Sequence, residues 1–492
     1  MARAAVVRAL VLSSRTLVLA IDQGTTGTTC LVVDDGLRTR GRGYRDVPQH
    51  FPRAGWVEHD PEELWESVLG AAADALGEAG AEARDLAAVG IANQRETTVV
   101  WERSSSRAVH RAIVWQDRRT AERCRELPAD LLRDRTGLVP DPYFSATKLE
   151  WLLAGRDTAG LAFGTVDSWL LWKLTGGRVH ATDVSNASRT LLFDLRGLRW
   201  DPELLELFGV PAAVLPEVVP SSGIVADAEL LGARVPVAGI AGDQQAALFG
   251  QACFRSGQAK VTYGTGSFVL VNAGSAPGPV RDGLVQTVAW QRAGEPAAYA
   301  LEGSIFATGA ALQWLRDALG LLGDAAESEA LARAVESADG VHFVPALAGL
   351  GSPHWAPEAR GLVSGIHRGT RREHLVRAAL EAIAFQVCDV VEAAGAELEL
   401  LRADGGGADN GFLLQLQADL AGVPVEVPAE REATALGAAA LAGLAVGVWS
   451  SPEEIARARR IAARYEPELG RDEADRLVAA WRAAVRRALL PG

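Results

Sequence analysis

Two aspartates, an arginine–glutamate pair and two glycine–threonine turns carry most of the chemistry legible in this chain. The first turn lies within residues 21–29, IDQGTTGTT, between apolar runs at 16–21 and 30–33. That pattern predicts a β-hairpin. Its tip offers one carboxylate, Asp22, with the hydroxyls of Thr25, Thr26, Thr28 and Thr29 beside Gly24 and Gly27. Small residues let a ligand approach the backbone, whose N–H groups can cradle phosphate oxygens. A carboxylate there would repel phosphate unless a cation lies between them, which points to Mg²⁺ and a nucleotide. An ordinary polar turn is the competing reading. A second hairpin follows about half a chain later: 259–263, then Gly264-Thr265-Gly266, then 267–271. The repeat predicts two similar domains, each offering such a turn to one phosphate chain across a cleft. Thr262 stands where the first hairpin has Asp22, so the halves differ chemically.

Other candidates sit at predicted strand ends, where open α/β sheets collect ligands. The strand at 86–91 leads into Asn93-Gln94-Arg95-Glu96. Arg95 and Glu96 together supply the donors and acceptors a polyol needs, although a surface ion pair is the plainer alternative. Trp115 closes a predicted strand at 112–115 and can wall off carbon atoms or join the core. Tyr143, in the turn 141–144, can present its hydroxyl. Asp243 follows a buried strand at 235–240 and precedes a helix at 245–249. It is a candidate general base, reachable and firmly held, and also a candidate helix N-cap. The glycines 405–407 precede a helix opening at Asn410, a nucleotide seat or simply a turn.

The elements that position these residues follow from patterning. Asp60 reads as an N-cap, with Pro61 at the first helical position and Glu63 placed for a capping box. Leu64, Val68, Ala72 and Leu76 then put one face of a helix at 61–79 inward. Helices are predicted at 147–153 and 372–391, and the last forty residues read as helical and solvent-facing.

Composition narrows the function. At 492 residues, two domains are expected. A net charge of −13 argues against nucleic-acid binding. The lysines are Lys148, Lys173 and Lys260, and no GxxxxGK[ST] string occurs, so a nucleotide must be held by backbone, hydroxyls and metal. The four cysteines lack pairing or zinc spacing, which fits a reducing, cytoplasmic setting. No apolar run reaches the ~18 residues of a membrane span. Residues 1–15, arginine-bearing and without acids, read as a disordered extension.

Together, DQGTT (22–26), GWVEHDP (55–61), NQRETT (93–98), AIVWQDRRT (112–120), DPYFSATK (141–148), GIAGDQQAALFGQ (239–251), TYGTGS (262–267) and DGGGADN (404–410) resemble the glycerol kinases of the FGGY carbohydrate kinase family, within the actin-like ATPase superfamily. The resemblance implies an α/β fold of two ribonuclease-H-like (actin/hexokinase-type) domains flanking a central cleft, divided here at 16–250 and 251–492. It implies ATP-dependent phosphorylation of glycerol to sn-glycerol 3-phosphate. Carried over by position, Arg95, Glu96, Tyr143, Asp243 and Gln244 would bind glycerol hydroxyls, and Trp115 and Phe268 would press on its carbons. Asp243 would be the general base and Asp22 would hold hydrated Mg²⁺. Thr25, Thr26, Thr265, Gly309, Gln313, Gly406 and Asn410, with Gly27 beside the first pair, would line ATP. A homo-oligomer, dimer or tetramer, is the family expectation.

Two departures stand out. The family usually has arginine where this chain has Thr29. The stretch 224–236, a regulatory region in relatives, is short and keeps one arginine, Arg234. Two further readings stay open: a kinase of another polyol or pentulose, and a non-catalytic nucleotide-gated binder.

Overall fold

The computed structural model describes residues 16–279 and 281–490. The expected extension at 1–15 therefore lies outside the described residues.

The first sheet begins with the expected hairpin, β1 (Leu17–Gln23) and β2 (Gly27–Val33), extended antiparallel by β3 (Thr39–Asp46). On the other side of β1, β4 (Leu86–Asn93) runs parallel to it. At the far edge, β5 (Ser222–Leu230) pairs antiparallel with β6 (Ala233–Gly242), which is itself parallel to β4. The order is β5-β6-β4-β1-β2-β3.

The second sheet repeats the scheme. The hairpin β7 (Gln258–Tyr263) and β8 (Ser267–Gly274) is followed by β9 (Val285–Trp290) and β10 (Ala298–Ile305). Next come β11 (Leu400–Asp404), β12 (Val425–Pro428) and β13 (Ile461–Tyr465), giving the order β9-β10-β8-β7-β11-β12-β13. In both sheets a set of antiparallel strands, begun by the hairpin, stands beside two parallel strands; the set is β1-β2-β3 in the first sheet and β7-β8-β10-β9 in the second. This is the ribonuclease-H-like arrangement, made twice around a cleft.

The central strands are buried on both faces and read as continuous apolar runs, whereas the edge strands β3 and β13 are largely exposed. On the outer face of the first sheet, Leu19, Ile21, Val89 and Ile91 pack in one core with α1 (Pro61–Ala79) and α2 (Val166–Leu174). Helix α3 (Asp243–Gly250) leaves β6 toward the second domain. In the second domain come α4 (Gly309–Asp317), α5 (Arg372–Ala394), α6 (Gly411–Ala421), α7 (Ala433–Val446) and α8 (Arg471–Ala488). Helix α7 turns back. Its Ala435, Ala438, Leu441 and Ala442 share a core with Val18, Ala20, Ala88 and Ala238 on the inner face of the first sheet.

The α3–α7 crossing is made by small residues. A Cβ on Gly437 would lie 1.8 Å from the Ala246 carbonyl oxygen, and one on Gly250 would lie 2.1 Å from that of Ala433. Gly90 approaches the Ala438 carbonyl in the same way.

Three local expectations change. Asp60 caps α1, accepting from the Glu62 N–H at 2.9 Å, but Glu63 turns to His50 (3.0 Å) rather than closing a capping box. The strand expected at 112–115 ends at Ile113, and Trp115 stands in the following turn. The C-terminal forty residues are not all helical, because β13 pairs antiparallel with β12. Glu426 on β12 receives Arg464 at 2.7 Å and Arg402 and Arg459 at 3.1 Å. That charge pairing overrides the local helical bias.

Candidate active site

The two aspartates face one cleft. Asp22 is the last but one residue of β1, on the side that carries Val18 and Ala20, which is the face turned to the second domain. Asp243 is the first residue of α3, and Gly242 occupies the N-cap without a side-chain bond, so Asp243 is not a cap. Burial, followed by the nearby charges of Asp243 and Glu432, pushes the Asp22 carboxyl well above its ordinary range. Such a group gains from a cation at its side. Among the described residues, no cluster of three or more metal-ligating side chains exists, so a metal there would take most of its ligands from water and phosphate, as Mg²⁺ does.

Asp243 has two unlike oxygens. Its Oδ1 accepts from the Gln244 backbone N–H at 2.6 Å and lies 3.1 Å from Arg95 Nε. Among the described residues no hydrogen bond or ion pair reaches Oδ2, and the side chain is 30% exposed.

Beneath this surface lies a buried charge layer. Arg95 Nη1 donates to Gln245 (3.3 Å) and Glu302 (2.5 Å), Nη2 donates to Tyr143 Oη (3.2 Å) and Glu302 (3.0 Å), and Nε forms an ion pair with Asp243 at 3.1 Å. Arg189 Nε donates to Glu96 at 2.6 Å and its Nη2 to Glu302 at 3.1 Å. Arg95 and Glu96 are 2% and 1% exposed, so both side chains lie beneath the cleft surface. Burial alone would raise the Glu302 carboxyl, but Arg189 and Arg95 hold it down at about 2. Glu96, by contrast, is raised by burial despite its arginine neighbours.

Above this layer stand the aromatic residues. The rings of Trp115 and Tyr143 meet edge-on at 5.5 Å. With Phe144, Phe268, Phe306 and Trp355 they line a cavity of about 430 Å³. Trp115 Nε1 donates to Thr25 Oγ1 at 2.9 Å, tying this wall to the first hairpin tip. Lys148, buried, donates to the Tyr143 carbonyl at 2.6 Å and fixes that loop; burial lowers its ammonium to about 8. Gln244 Oε1 accepts from Lys260, which also donates to Thr262 Oγ1 at 2.8 Å. One lysine therefore does reach the cleft, although no phosphate-loop motif announces it.

A second cavity, about 440 Å³, lies on the other side of the β7–β8 turn. Thr265, Gly309, Gln313, Gly406 and Asn410 all line it, and Thr265 lines the aromatic cavity too. Two of its glycines are required by shape: a Cβ on Gly309 would lie 2.8 Å from the Gly264 carbonyl oxygen and one on Gly407 2.6 Å from Tyr263 Cβ, whereas Gly406 has open space there. Beside it, a Cβ on Gly266 would lie 2.3 Å from the Ile305 carbonyl oxygen, and Gly405 (φ 81°) packs on the Tyr263 backbone. Asn410 caps α6, accepting from the Leu413 N–H at 3.0 Å. At the first hairpin, Thr25 and Thr26 stand at the exposed tip, and Gly27 packs under Tyr44, whose hydroxyl a Cβ would strike.

The structure thus places Trp115, Tyr143 and Phe268 in one cavity and Gly309, Gln313, Gly406 and Asn410 in the other, with Thr265 in both. Asp22, Thr25, Thr26, Gly27, Asp243 and Gln244 line neither, and Arg95 and Glu96 lie one layer behind. Sequence reasoning missed Arg189, Gln245 and Glu302. The available signal was a lone charge inside an apolar stretch, as in SRTLLF (188–193) or AYALEGSI (298–305).

Known proteins give the same picture. The family model for the FGGY family of carbohydrate kinases, N-terminal domain, matches residues 17–250, and the C-terminal domain model matches 259–446. The chain is 51% identical to glycerol kinase 2 of Thermotoga maritima, over 96% of this chain and 98% of that protein. It is 53% identical to the glycerol kinase of Dechloromonas aromatica, over 96% and 97%. The crystal structure of Plasmodium falciparum glycerol kinase with ADP superposes with a TM-score of 0.92 at 33% identity, covering 97% of this chain and 99% of that one. A gluconate kinase from Lactobacillus acidophilus, TM-score 0.86 at 21% identity, shares the fold. The chain belongs to the FGGY family of carbohydrate kinases.

Proposed function

We propose that this chain transfers the terminal phosphoryl group of ATP to the 3-hydroxyl of glycerol, giving sn-glycerol 3-phosphate and ADP. The observation that carries the reading is the meeting of two cavities at Thr265, one aromatic and one glycine-lined, with Asp243 exposed between the domains. Identity above 50% to curated glycerol kinases supports glycerol over other acceptors.

Trp115, Tyr143 and Phe268 would enclose the carbon skeleton, while Gln244 and the Tyr143 hydroxyl meet its oxygens. Asp243 Oδ2 would accept the proton of the attacking hydroxyl, since Oδ1 is occupied by Arg95 and Gln244. The pair Arg95–Glu96 would act from beneath: Arg95 orients Asp243 and Tyr143, and Glu96 holds Arg189. Thr25, Thr26, Gly27, Thr265, Gly309, Gln313, Gly406 and Asn410 would hold the nucleotide. Mg²⁺ fits at Asp22, whose crowded carboxyl favours a neighbouring cation, and would be held through water. When bound, it supplies neutralisation of phosphate charge. Positioning of both substrates supplies much of the remaining rate.

The test is ADP release by purified protein with ATP, Mg²⁺ and glycerol, with erythritol and xylulose alongside. Glycerol should be the preferred acceptor. ATP hydrolysis indifferent to every polyol would overturn the reading.

Thr29 faces the cleft beside Asp22, its cross-strand partner. Thr29→Arg is expected to tighten ADP binding about tenfold, the size of one charge-assisted hydrogen bond, as measured by calorimetry.

A further inference from the structure

One carboxylate of the second domain reaches under the acceptor site of the first. Glu302 lies on β10, its side chain wholly buried, and accepts from Arg95 Nη1 at 2.5 Å, Arg95 Nη2 at 3.0 Å and Arg189 Nη2 at 3.1 Å. The other partners of Arg95 — Asp243, Gln245 and Tyr143 — belong to the first half of the chain. The guanidinium beside Asp243 Oδ1 therefore takes part of its orientation, both Nη contacts to Glu302, from across the domain boundary.

Register places Glu302 close to the nucleotide turn. Glu302 pairs with Leu270 on β8, and Leu270 pairs with Lys260 on β7. The next cross-strand row on that face is Ser304, Phe268 and Thr262. Beyond it lies the turn Gly264–Gly266, which forms the edge of the glycine-lined cavity. A movement of this sheet toward or away from the first domain is carried rigidly to Glu302, and so to Arg95.

We propose that Glu302 is a positioning residue that makes the proton-accepting geometry of Asp243 conditional on the seating of the second domain. Glu302 touches neither substrate. It acts through Arg95, and it ties the strands that carry the nucleotide turn to the residue that faces the hydroxyl. The proposal rests on the glycerol kinase reading of the cleft.

The test compares wild type with Glu302→Gln and Glu302→Asp. The measurements are glycerol-dependent ADP release, ADP binding by calorimetry, glycerol-independent ATP hydrolysis and thermal melting. Glu302→Gln is expected to lower kcat with glycerol about 100-fold, the cost of a misplaced catalytic group, while ADP affinity stays within about threefold. The share of ATP hydrolysed without glycerol should rise. Glu302→Asp, which keeps the charge but withdraws it, should recover about tenfold of the lost kcat. A merely structural strut would lower ADP affinity and kcat together, without recovery in the aspartate variant, and that result overturns the proposal. So does a folded Glu302→Gln protein with kcat within about threefold of wild type. If Glu302→Gln does not melt cooperatively, Glu302→Asp decides: a reduced kcat with intact ADP binding supports the coupling, and wild-type kcat refutes it. A wild-type enzyme that releases no ADP with glycerol refutes the kinase reading itself, whatever the variants do.

Discussion

Asparagine in place of Asp243 is expected to lower kcat about a thousandfold, within the range that a positioned general base contributes. The geometry fixes how the amide would sit. The Gln244 N–H requires an acceptor at Oδ1, and the cationic Arg95 Nε lies 3.1 Å from the same oxygen. The new NH₂ group is therefore driven to the free position, where it donates a hydrogen bond instead of accepting a proton. Glycerol still meets Trp115, Tyr143 and Phe268, so its KM should change by less than about fivefold. Rates with glycerol as the varied substrate separate the two constants. A variant with normal kcat would remove Asp243 from the base role and leave the aromatic pocket without its chemistry.

Alanine at Gly437 is expected to cost stability out of proportion to one added methyl group. The Cβ would lie 1.8 Å from the Ala246 carbonyl oxygen and 3.0 Å from the Gly250 nitrogen, so α3 and α7 must part. Forced separation of packed backbone costs roughly 1–3 kcal/mol, occasionally more. The two helices also carry Asp243 and, just before α7, Glu432, whose charge is felt at Asp22. Their separation should therefore lower activity as well as the melting temperature. Gly77→Ala is the contrasting case. Gly77 lies inside α1 with nothing within 4 Å of its would-be Cβ, and alanine there should stabilise by about 0.5–1 kcal/mol. A melt of both variants against wild type checks the pair. Equal behaviour would mean that the crossing yields at no cost.

Much of the site was legible because local chemistry announces it. The hairpin at Asp22, the α1 cap at Asp60 and the glycine turns at 264–266 and 405–407 each depend on neighbours within a few residues. Asp243 was legible as a candidate base, although its capping role belongs to Gly242. What escaped the sequence is what distance in the chain conceals. Arg95 and Glu302 are 207 residues apart, and Arg189 and Glu302 are 113 apart. Nothing adjacent to Glu302 requires two arginines. The depth of Arg95 and Glu96 was hidden for the same reason: Arg95 meets Glu302 from the opposite domain, and Glu96 meets Arg189, which is 93 residues away in the chain. β13 was misread because Arg464 and Arg459 find Glu426 only once the sheet has formed.

The return of α7 to the first sheet has a consequence for how the chain is made. The inner side of that sheet, with Val18, Ala20, Ala88 and Ala238, is covered by residues 435–442. Synthesis from residue 250 to 446 takes roughly 10 to 40 s at the usual pace of translation. For that interval the nascent amino-terminal half has an apolar surface with no native cover, which makes it a natural client for chaperones near the ribosome. A gene cut between its two halves would likewise yield a sticky fragment rather than a free-standing lobe.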